Sequence, residues 1–466
     1  MRQVLRYLGY ILLISIIFQV IPITTALFYG EAISGFLIAG TASLVAGLAL
    51  ISIPKEERKK GLTLQEGLIL TALSFLIIPL FSSISFLPVM EYDTTNALFE
   101  SYSGFTTTGL TVMESFGSVP KSILLWRAEQ QWIGGLGIVV VFLFILSKVH
   151  GKDSKERGKS MSTLYQAQGF KEHLEPTIRE SMTRIILIYL AYSILGTILL
   201  FVTGMTFINS IGMMFTSIST GGFSMSDTLA TNNLQLGILS FLMIIGSMSF
   251  LIHNTLFKRK FKALIQNVQI KLFLVLLSIF AGISFVVLPE FKTVLFHSIS
   301  ALTTTGYAFQ PIASFPALMI VCITISMIIG GSIGSTSGGI KLSRILIILK
   351  AVPWVIKKLS YPIRAVIPMK IEGKPVSEYN VTMTEVFIST YVLGIIIGTI
   401  AFMLLGFSFR DSAFQIASAL GTVGLQTISL VTIPLIGKLI LIMFMILGRL
   451  EIFPVFVLIR RLIKGS

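Results

Sequence analysis

The sequence predicts an all-α polytopic membrane protein, and three observations lead to this fold class. Of its 466 residues, 54% are hydrophobic and only 12% are charged, whereas an ordinary soluble domain carries about 25% charged residues. A polar, glycine-ended run recurs along the chain. Several apolar runs are also long enough to cross a bilayer, at residues 8–29, 32–53, 67–89, 185–203, 234–252, 272–289 and 386–405.

The first two apolar runs predict retained transmembrane helices. The run after Arg2 and Arg6 is longer than the roughly 7 to 15 residues expected of a secretory signal, and a second run follows almost at once. Residues 1–62 are therefore predicted to form two N-terminal transmembrane helices, with no cleaved leader.

The basic residues predict the orientation. Most of the 36 Lys and Arg residues fall in six groups, which an even number of crossings can place on one side. By the positive-inside rule this side is the cytoplasm, so both termini are expected there. The net charge of +15 is then explained by basic residues that flank membrane helices on the cytoplasmic side, and it does not indicate nucleic-acid binding. The groups are the N-terminus and residues 54–65, 147–184, 253–271, 341–378 and 455–466.

The opposite, outer face is expected to be acidic. An acidic face would concentrate cations close to the membrane. The carboxylates assigned to it are Glu31, Glu91, Asp93, Glu100, Glu114, Asp227, Glu290 and Asp411.

Metal and enzymatic chemistry find little support in the sequence. Cys322 is the single cysteine, and the four histidines show no ligand spacing. The chain also lacks a His/Asp constellation and a Gly-x-Ser-x-Gly elbow in a suitable context. An intramembrane enzyme is the least favoured class, and we expect no catalytic residues and no cofactor bound by this chain.

The polar, glycine-ended motif occurs four times, each time between an incoming and an outgoing apolar helix on the outer side. Every copy ends in Thr-x-Gly. The copies are FESYSGFTTTGLT (99–111), FTSISTGGFSMSD (215–227), FHSISALTTTGYA (296–308) and FQIASALGTVGLQ (414–426). The corresponding repeats are predicted at residues 63–150, 151–262, 263–350 and 351–466.

The segment before each Thr-x-Gly is too short to cross the membrane. At about 1.5 Å per residue, 10 to 12 residues cannot span a hydrocarbon core of about 30 Å, so each should be a re-entrant half-helix. Irregular backbone at membrane depth must be buried in protein or line a wet cavity. The four loops are therefore expected to converge around a central pore. The predicted half-helices are residues 96–106, 207–218, 292–302 and 410–420.

Converging loops of this composition indicate a cation pathway. Glycine allows consecutive carbonyls to point the same way and leaves the lumen open, and the negative C-terminal ends of the half-helices favour a cation. Close packing of small residues would explain one motif, but four copies at matching positions favour a pore. The candidate ion-binding residues are Thr107, Thr108, Gly109, Thr220, Gly221, Gly222, Thr304, Thr305, Gly306, Thr422, Val423 and Gly424.

A second unusual run, GGSIGSTSGGIK, follows the third motif. Residues 330–339 contain five glycines and four Ser or Thr residues, so the helix predicted from about 316 to 350 should break near mid-membrane. The run lacks the Gly-Lys-Ser/Thr ending of a phosphate-binding P-loop. We expect a flexible plug below the four loops, hinged at Gly338 and Gly339. A kinked, closely packed helix is the alternative.

Arg449 lies deep in the apolar stretch MFMILGRLEIFPVF, where an unpaired charge is costly. It is expected to face the pore or a partner, and a structural arginine bonded to carbonyls is the alternative. Glu451 would lie on another face of the helix and is a poor partner for it. Arg127 and Glu129 are expected to be interfacial charges near the outer end of their helix.

These motifs resemble the Trk, Ktr and HKT superfamily of potassium transporters. The resemblance runs from about residue 63 to the end and includes WRAEQQWIGGLGIVV (126–140) and GGSIGSTSGGIKLSR (330–344). The two extra N-terminal helices are similar to those of TrkH-like members. The resemblance implies four membrane-pore-membrane repeats around a central pore, potassium as substrate, and filter glycines at Gly109, Gly222, Gly306 and Gly424.

The resemblance also implies a gate and partners. In TrkH-like proteins the run after the third loop is an intramembrane gating loop that contacts an arginine of repeat four. These proteins form homodimers on a cytosolic ring of TrkA-type, nucleotide-binding RCK subunits. Loops 148–184 and 351–380 contain no nucleotide motif, so ATP, ADP or NAD would act through such a subunit. The implied gate residues are Gly334, Ser335, Thr336, Ser337, Gly338, Gly339, Lys341 and Arg449.

The function expected from the sequence is potential-driven potassium uptake across the bacterial inner membrane. One charge crossing about 100 mV gains about 2.3 kcal/mol, and no ATP-hydrolysing site is visible. The alternative is a sodium- or proton-coupled symporter with a buried carboxylate, for which Glu451 and Glu385 are the candidates. Gly421 stands directly before its Thr-x-Gly, where the other three motifs have Ser or Thr. This difference leaves open how strictly the protein selects potassium over sodium.

Overall fold

The computed structural model describes residues 1–54, 62–149, 178–362 and 367–464. It is mainly helical and confirms the predicted polytopic membrane fold. The predicted cytoplasmic groups 54–65 and 147–184 lie largely outside the described residues. Six described helices are long and apolar enough to cross a membrane: Arg2–Tyr29, Ser34–Ser52, Gln65–Phe86, Glu180–Val202, Val268–Val287 and Glu378–Leu404.

The two N-terminal spans precede the repeats and are anchored to the first of them. Gly30, at a φ of 66°, ends the first span in the left-handed conformation that commonly caps a helix. The Glu31 carboxylate then accepts hydrogen bonds from the N–H groups of Lys121 and Ser122 at 2.7 and 2.9 Å. The N-terminal helices are α1 (Arg2–Phe18), α2 (Val20–Tyr29) and α3 (Ser34–Ser52).

Each repeat has an incoming helix, a 12-residue half-helix, a Thr-x-Gly loop and an outgoing helix. Repeat one contains α4 (Leu64–Ser82), α5 (Thr94–Phe105) and α6 (Lys121–Val149). Repeat two contains α7 (Ile178–Val202), α8 (Phe207–Ile218) and α9 (Asn233–Ser247), and α10 (Phe250–Phe257) and α11 (Lys262–Gln266) follow it. Repeat three contains α12 (Val268–Val287), α13 (Phe291–Leu302), α14 (Ala317–Ile329) and α15 (Leu342–Leu359). Repeat four contains α16 (Glu378–Leu404), α17 (Phe409–Leu420), α18 (Leu435–Arg449) and α19 (Phe453–Lys464).

A short antiparallel hairpin precedes repeat four. Its strands are β1 (Met369–Ile371) and β2 (Lys374–Val376), with Met369 opposite Val376. Single 3₁₀ turns at Ser83–Phe86 and Ile312–Ser314 complete the regular structure of the described residues.

Polar caps set where three of the four half-helices begin, and α13 has no side-chain cap. The Asp93 carboxylate accepts from two N–H groups in the first turn of α5, and the hydroxyls of Thr206 and Ser408 each accept from one N–H group in the first turns of α8 and α17. Each half-helix has 12 residues, which gives about 18 Å of helix. A half-helix therefore ends partway through the membrane.

The repeats close into a ring. The outgoing helix of each repeat packs against the half-helix of the next one: α6 against α8, α9 against α13, α14 against α17, and α18 against α5. Because the last of these contacts returns to repeat one, the four loops that follow the half-helices surround a common axis.

The outgoing helices differ on their inner side. The helix of repeat three is interrupted between Ile329 and Leu342, where the sequence predicts a break. Those of repeats two and four bend by 106° and 110° after Ser247 and Arg449. The apolar run 234–252 is therefore not one continuous helix, because Met248 is extended and Ser249 caps a new helix.

Candidate functional site

All four half-helices end in the same strained turn. In repeat one, the N–H of Thr107 bonds to the Gly104 carbonyl at 2.9 Å and the N–H of Thr108 bonds to the Ser103 carbonyl at 3.0 Å, which is the Schellman pattern. Thr107 has a φ of 54°, a left-handed value at which glycine is usual and a β-branched residue is an outlier. Thr220, Thr304 and Thr422 repeat this at 52°, 57° and 49°. Strain retained at four equivalent positions points to a functional role for these threonines.

The glycines two residues later form a closed ring of contacts. A Cβ atom on Gly109 would overlap the carbonyl oxygen of Gly221, and one on Gly222 would overlap that of Thr305. Gly306 and Gly424 stand in the same relation to the carbonyls of Val423 and Thr108. Each loop therefore places a carbonyl against the glycine of a neighbouring repeat, and a side chain at any of the four glycines would collide with that carbonyl.

An outer vestibule opens onto this ring. It is a cavity of about 590 Å³ with all four ring glycines in its wall, together with Glu114 and Asp227. The Asp227 carboxylate of repeat two accepts hydrogen bonds from Phe116 N–H at 2.8 Å and Ser115 Oγ at 3.2 Å of repeat one. Carboxylates in this wall favour the entry of cations.

The inner side of the ring meets the segment 330–341, here called the inner loop. The N–H of Gly338 donates to the Thr304 hydroxyl at 2.8 Å, and Thr336 Oγ1 lies 3.3 Å from that of Thr220. A Cβ atom on Gly338 would overlap the hydroxyl of Thr422. The inner loop thus contacts the strained threonines of three repeats.

The break in repeat two holds the inner loop. Ser332 N–H donates to the Ser247 carbonyl and Phe250 N–H donates to the Gly334 carbonyl, both at 2.9 Å. The Thr336 hydroxyl lies 2.9 Å from the carbonyls of Ile218 and Gly246. Irregular backbone at this depth needs such partners, and the broken helix supplies them.

Arg449 joins three repeats. Its Nη1 donates to the Thr336 carbonyl of the inner loop and its Nη2 donates to the Gly134 carbonyl of α6, both at 2.7 Å. Its side chain is buried. The arginine therefore has carbonyl partners, and one of them belongs to the inner loop.

Glu451 has a role that the sequence did not indicate. It lies 4.0 Å from the Lys341 ammonium and also pairs with Arg344. Lys341 donates to the Ser337 carbonyl at 2.7 Å and has a φ of 84°, a conformation that costs about 1–3 kcal/mol and persists only where its surroundings hold it. Glu451 thus fixes the inner end of the loop.

Arg127 and Glu100 are not surface charges, and the two expectations about them are wrong. Both side chains are fully buried, with Arg127 Nε 2.9 Å from the Glu100 carboxylate. The same carboxylate accepts from Val112 N–H at 2.7 Å, and the guanidinium lies 4.0 Å from the Phe223 ring. The pair therefore supports the first loop and contacts the second. The interfacial position predicted for Glu129 is also wrong, because this side chain is buried and its oxygens have no hydrogen-bond partner among the described residues.

The residue that corresponds to Glu100 is of a different type in each repeat. Each motif has a buried polar residue after its leading phenylalanine: Glu100, Thr216, His297 and Gln415. The Tyr307 hydroxyl, next to the ring glycine of repeat three, bonds to Thr216 and lies 3.1 Å from Ser217. The loops are thus braced from behind by different groups. An acidic residue at one copy of a repeated position was the signal that could have pointed to Glu100.

Comparison with known proteins gives a consistent match. The profile of the TrkH family, described as cation transport proteins, matches residues 76–295 and 290–464. An uncharacterized cation transporter of Methanocaldococcus jannaschii is 33% identical and covers 98% of this chain and 94% of its own length. The Trk system potassium uptake protein TrkH of Escherichia coli K12 is 28% identical, with 98% of both chains covered.

A solved structure shares the whole architecture. The crystal structure of the potassium transporter TrkH from Vibrio parahaemolyticus matches this chain with a TM-score of 0.85 at 25% sequence identity. The match covers 98% of each chain. The fold described above, with its N-terminal spans, is therefore shared along nearly the entire length.

Proposed function

Because this chain belongs to the TrkH family of cation transport proteins, we propose that it takes up potassium through a pore formed by its four Thr-x-Gly loops. A relative that is named a potassium uptake protein matches over 98% of the chain. Potassium is the transported substrate in this proposal, and this chain performs transport without catalysis.

The closed ring of glycines and carbonyls carries the proposal. Each of the four loops presents a carbonyl to the glycine of a neighbouring repeat, and carbonyl oxygens can replace the hydration shell of a potassium ion. The half-helices direct their negative C-terminal ends toward the same place. Such a site favours a desolvated monovalent cation.

The inner loop is the proposed gate, with Arg449 as its latch. The loop contacts threonines of the ring on the inner side, and Arg449 holds the carbonyl of Thr336. A cation leaving the ring would meet this buried segment and a positive charge. Displacing the inner loop would remove both obstacles.

The membrane potential is the proposed driving force, since it supplies about 2.3 kcal/mol per charge at 100 mV. The proposed location is the bacterial inner membrane, with both termini in the cytoplasm. We expect the protein to form homodimers and to be opened by a cytosolic TrkA-type RCK subunit that binds ATP, ADP or NAD. Co-purification with such a subunit and the mass of the complex would test this assembly.

Rubidium-86 uptake into proteoliposomes with an inside-negative potential tests the pore. We expect uptake to depend on the potential and to be blocked by potassium better than by sodium. Deleting residues 334–339 should raise the uptake measured without a cytosolic partner. In that deleted background, Gly306→Ser should weaken the preference for potassium, because the new side chain overlaps the Val423 carbonyl.

A matched control distinguishes the pore from general damage. Gly282 lies on α12 with open space around it, so Gly282→Ser should leave flux and preference unchanged. If the deleted protein is folded yet carries no rubidium, the pore assignment is wrong. If Gly306→Ser keeps full discrimination, the ring is not the filter.

Coupled symport is the alternative, and Glu129 is the observation that favours it. This buried carboxyl has no hydrogen-bond partner among the described residues, so none of them commits it to its charged form. Of the two other candidates, Glu451 is paired with cations and Glu385 is exposed. Unchanged dependence of flux on an imposed pH gradient in Glu129→Gln would remove Glu129 as the carrier of a coupled proton.

A further inference from the structure

A cavity outside the ion pathway lies between the N-terminal span and repeat one. It has a volume of about 110 Å³ and is bounded by α1, α4, α5 and α6. Its wall includes Ile14, Phe75, Trp126, Gly134 and Gly137. The cavity therefore separates the additional N-terminal helices from the outgoing helix of the first repeat.

The mouth of this cavity is at hydrocarbon depth. Ile14 is 53% exposed and lies near the middle of the 28-residue span Arg2–Tyr29. It is followed by Ile17, which is 67% exposed, so the opening is continuous with the lipid-facing surface of the span. An opening at this depth communicates with acyl chains and not with water.

The wall of the cavity is apolar apart from two serines and the Trp126 indole. The hydroxyls of Ser15 and Ser74 are bonded within their own helices, to the carbonyls of Leu12 and Leu70 at 2.7 and 2.8 Å. Apolar cavities of about 150 Å³ stay dry and bind compounds such as benzene. The cavity is slightly smaller than this, which suits a short apolar segment.

From this geometry we propose that the cavity binds one acyl chain of a membrane phospholipid. Trp126 is 1% exposed and lines the cavity, so an inserted chain would contact its ring. The deep wall contains Gly134, whose carbonyl holds Arg449. The lipid chain would therefore pack against the helix that binds the proposed latch.

Tryptophan fluorescence can test the site directly. The chain has three tryptophans, and Trp132→Phe with Trp354→Phe leaves Trp126 as the only emitter. Reconstituted with phospholipids brominated along the acyl chain, this protein should be strongly quenched, because a bromine atom can enter the cavity beside an otherwise buried ring. Non-brominated lipid of the same headgroup gives the reference.

Filling the cavity provides the matched comparison. Gly137 lines the cavity and has open space at its Cβ position, so Gly137→Leu should abolish most of the quenching. Gly282→Leu places the same side chain on α12, away from the cavity, and should leave the quenching unchanged. Weak quenching before any filling, or equal quenching in the two leucine variants, would overturn the proposal.

A second measurement uses the unmodified protein and therefore does not depend on the folding of variants. A phospholipid with a mid-chain diazirine is incorporated and photolysed, and the modified residues are mapped by mass spectrometry. Adducts on cavity residues such as Phe75 and Trp126 would support an inserted chain. Adducts confined to exposed residues such as Ile17 would contradict it.

Discussion

The outer and inner halves of the proposed pore differ in how closely the four repeats resemble one another. On the outer side, four loops repeat one turn, one strained threonine and one glycine contact. On the inner side, the outgoing helices take three different courses: that of repeat one continues, those of repeats two and four bend sharply, and that of repeat three is interrupted by the inner loop. The part that would select an ion is nearly fourfold, and the part that would regulate it is unique.

This difference follows from what each half contacts. A cation on the axis interacts equally with all sides, so equivalent carbonyls suit it. A gate must have two positions, and a single movable segment held by specific partners provides them. Arg449 and Glu451, both of repeat four, supply such partners to a loop of repeat three.

The largest expected effect is loss of flux on adding a side chain to the ring. Gly222→Val would place methyl groups on the Thr305 carbonyl, and we expect rubidium uptake to fall more than about tenfold, the result of about 1.4 kcal/mol on the barrier. Gly424→Val should do the same from the opposite repeat. Gly237→Val, at an open position on α9, is the control. Normal flux in only one of the two ring variants would show that the ring glycines are not equivalent.

The next effect is on stability, where repeat one should differ from repeat four. Glu100→Gln leaves the buried Arg127 without its charge partner and should lower the free energy of unfolding by about 3–5 kcal/mol. Gln415→Leu changes the matching position of repeat four, where the side-chain amide has no partner among the described residues, and should cost far less. Denaturant titration in detergent measures both. Equal losses would show that the ion pair is not what distinguishes repeat one.

The inner half should respond to Glu451→Gln. Losing the carboxylate weakens the hold on Lys341 and Arg344, so uptake without a cytosolic partner should rise by about fivefold or more, in the usual range of coupling energies. The control is Glu378→Gln, which removes the exposed pair with Lys358. An exposed pair contributes little. Similar uptake in both variants would separate Glu451 from gating.

The smallest effect is expected from Tyr307→Phe. Removing the hydroxyl that contacts Thr216 and Ser217 should cost about 1 kcal/mol of stability and modestly increase competition by sodium. Tyr391→Phe is matched to it, because that buried hydroxyl has no partner among the described residues. Sodium competition that is the same in the two variants would exclude a bracing role for Tyr307.

The half-helices and the inner-loop break could be predicted because their signals are local. A cap residue, a short amphipathic segment and a glycine turn can all be recognised in a stretch of about a dozen residues. The structure places the short helices at 94–105, 207–218, 291–302 and 409–420, within two residues of the predicted segments.

The charge pairs could not be predicted because their partners are far apart in the sequence. Arg127 and Glu100 are 27 residues apart, and Arg344 and Glu451 are 107 apart. Their pairing depends on how helices of different segments pack. The bend after Ser247 was missed for a related reason, since its backbone groups are satisfied by the distant inner loop.

The hydrogen bonds between the inner loop and the broken helix of repeat two link movement of the loop to hydration. If the loop moved, the carbonyl of Ser247 and the N–H of Phe250 would lose the hydrogen bonds that they make with it. Exposed backbone groups at this depth need water. Opening should therefore draw water into the space below the ring, and solutes too large to enter should slow opening through osmotic stress. If the inner loop gates the pore as proposed, its opening is in part a wetting transition of the space below the ring.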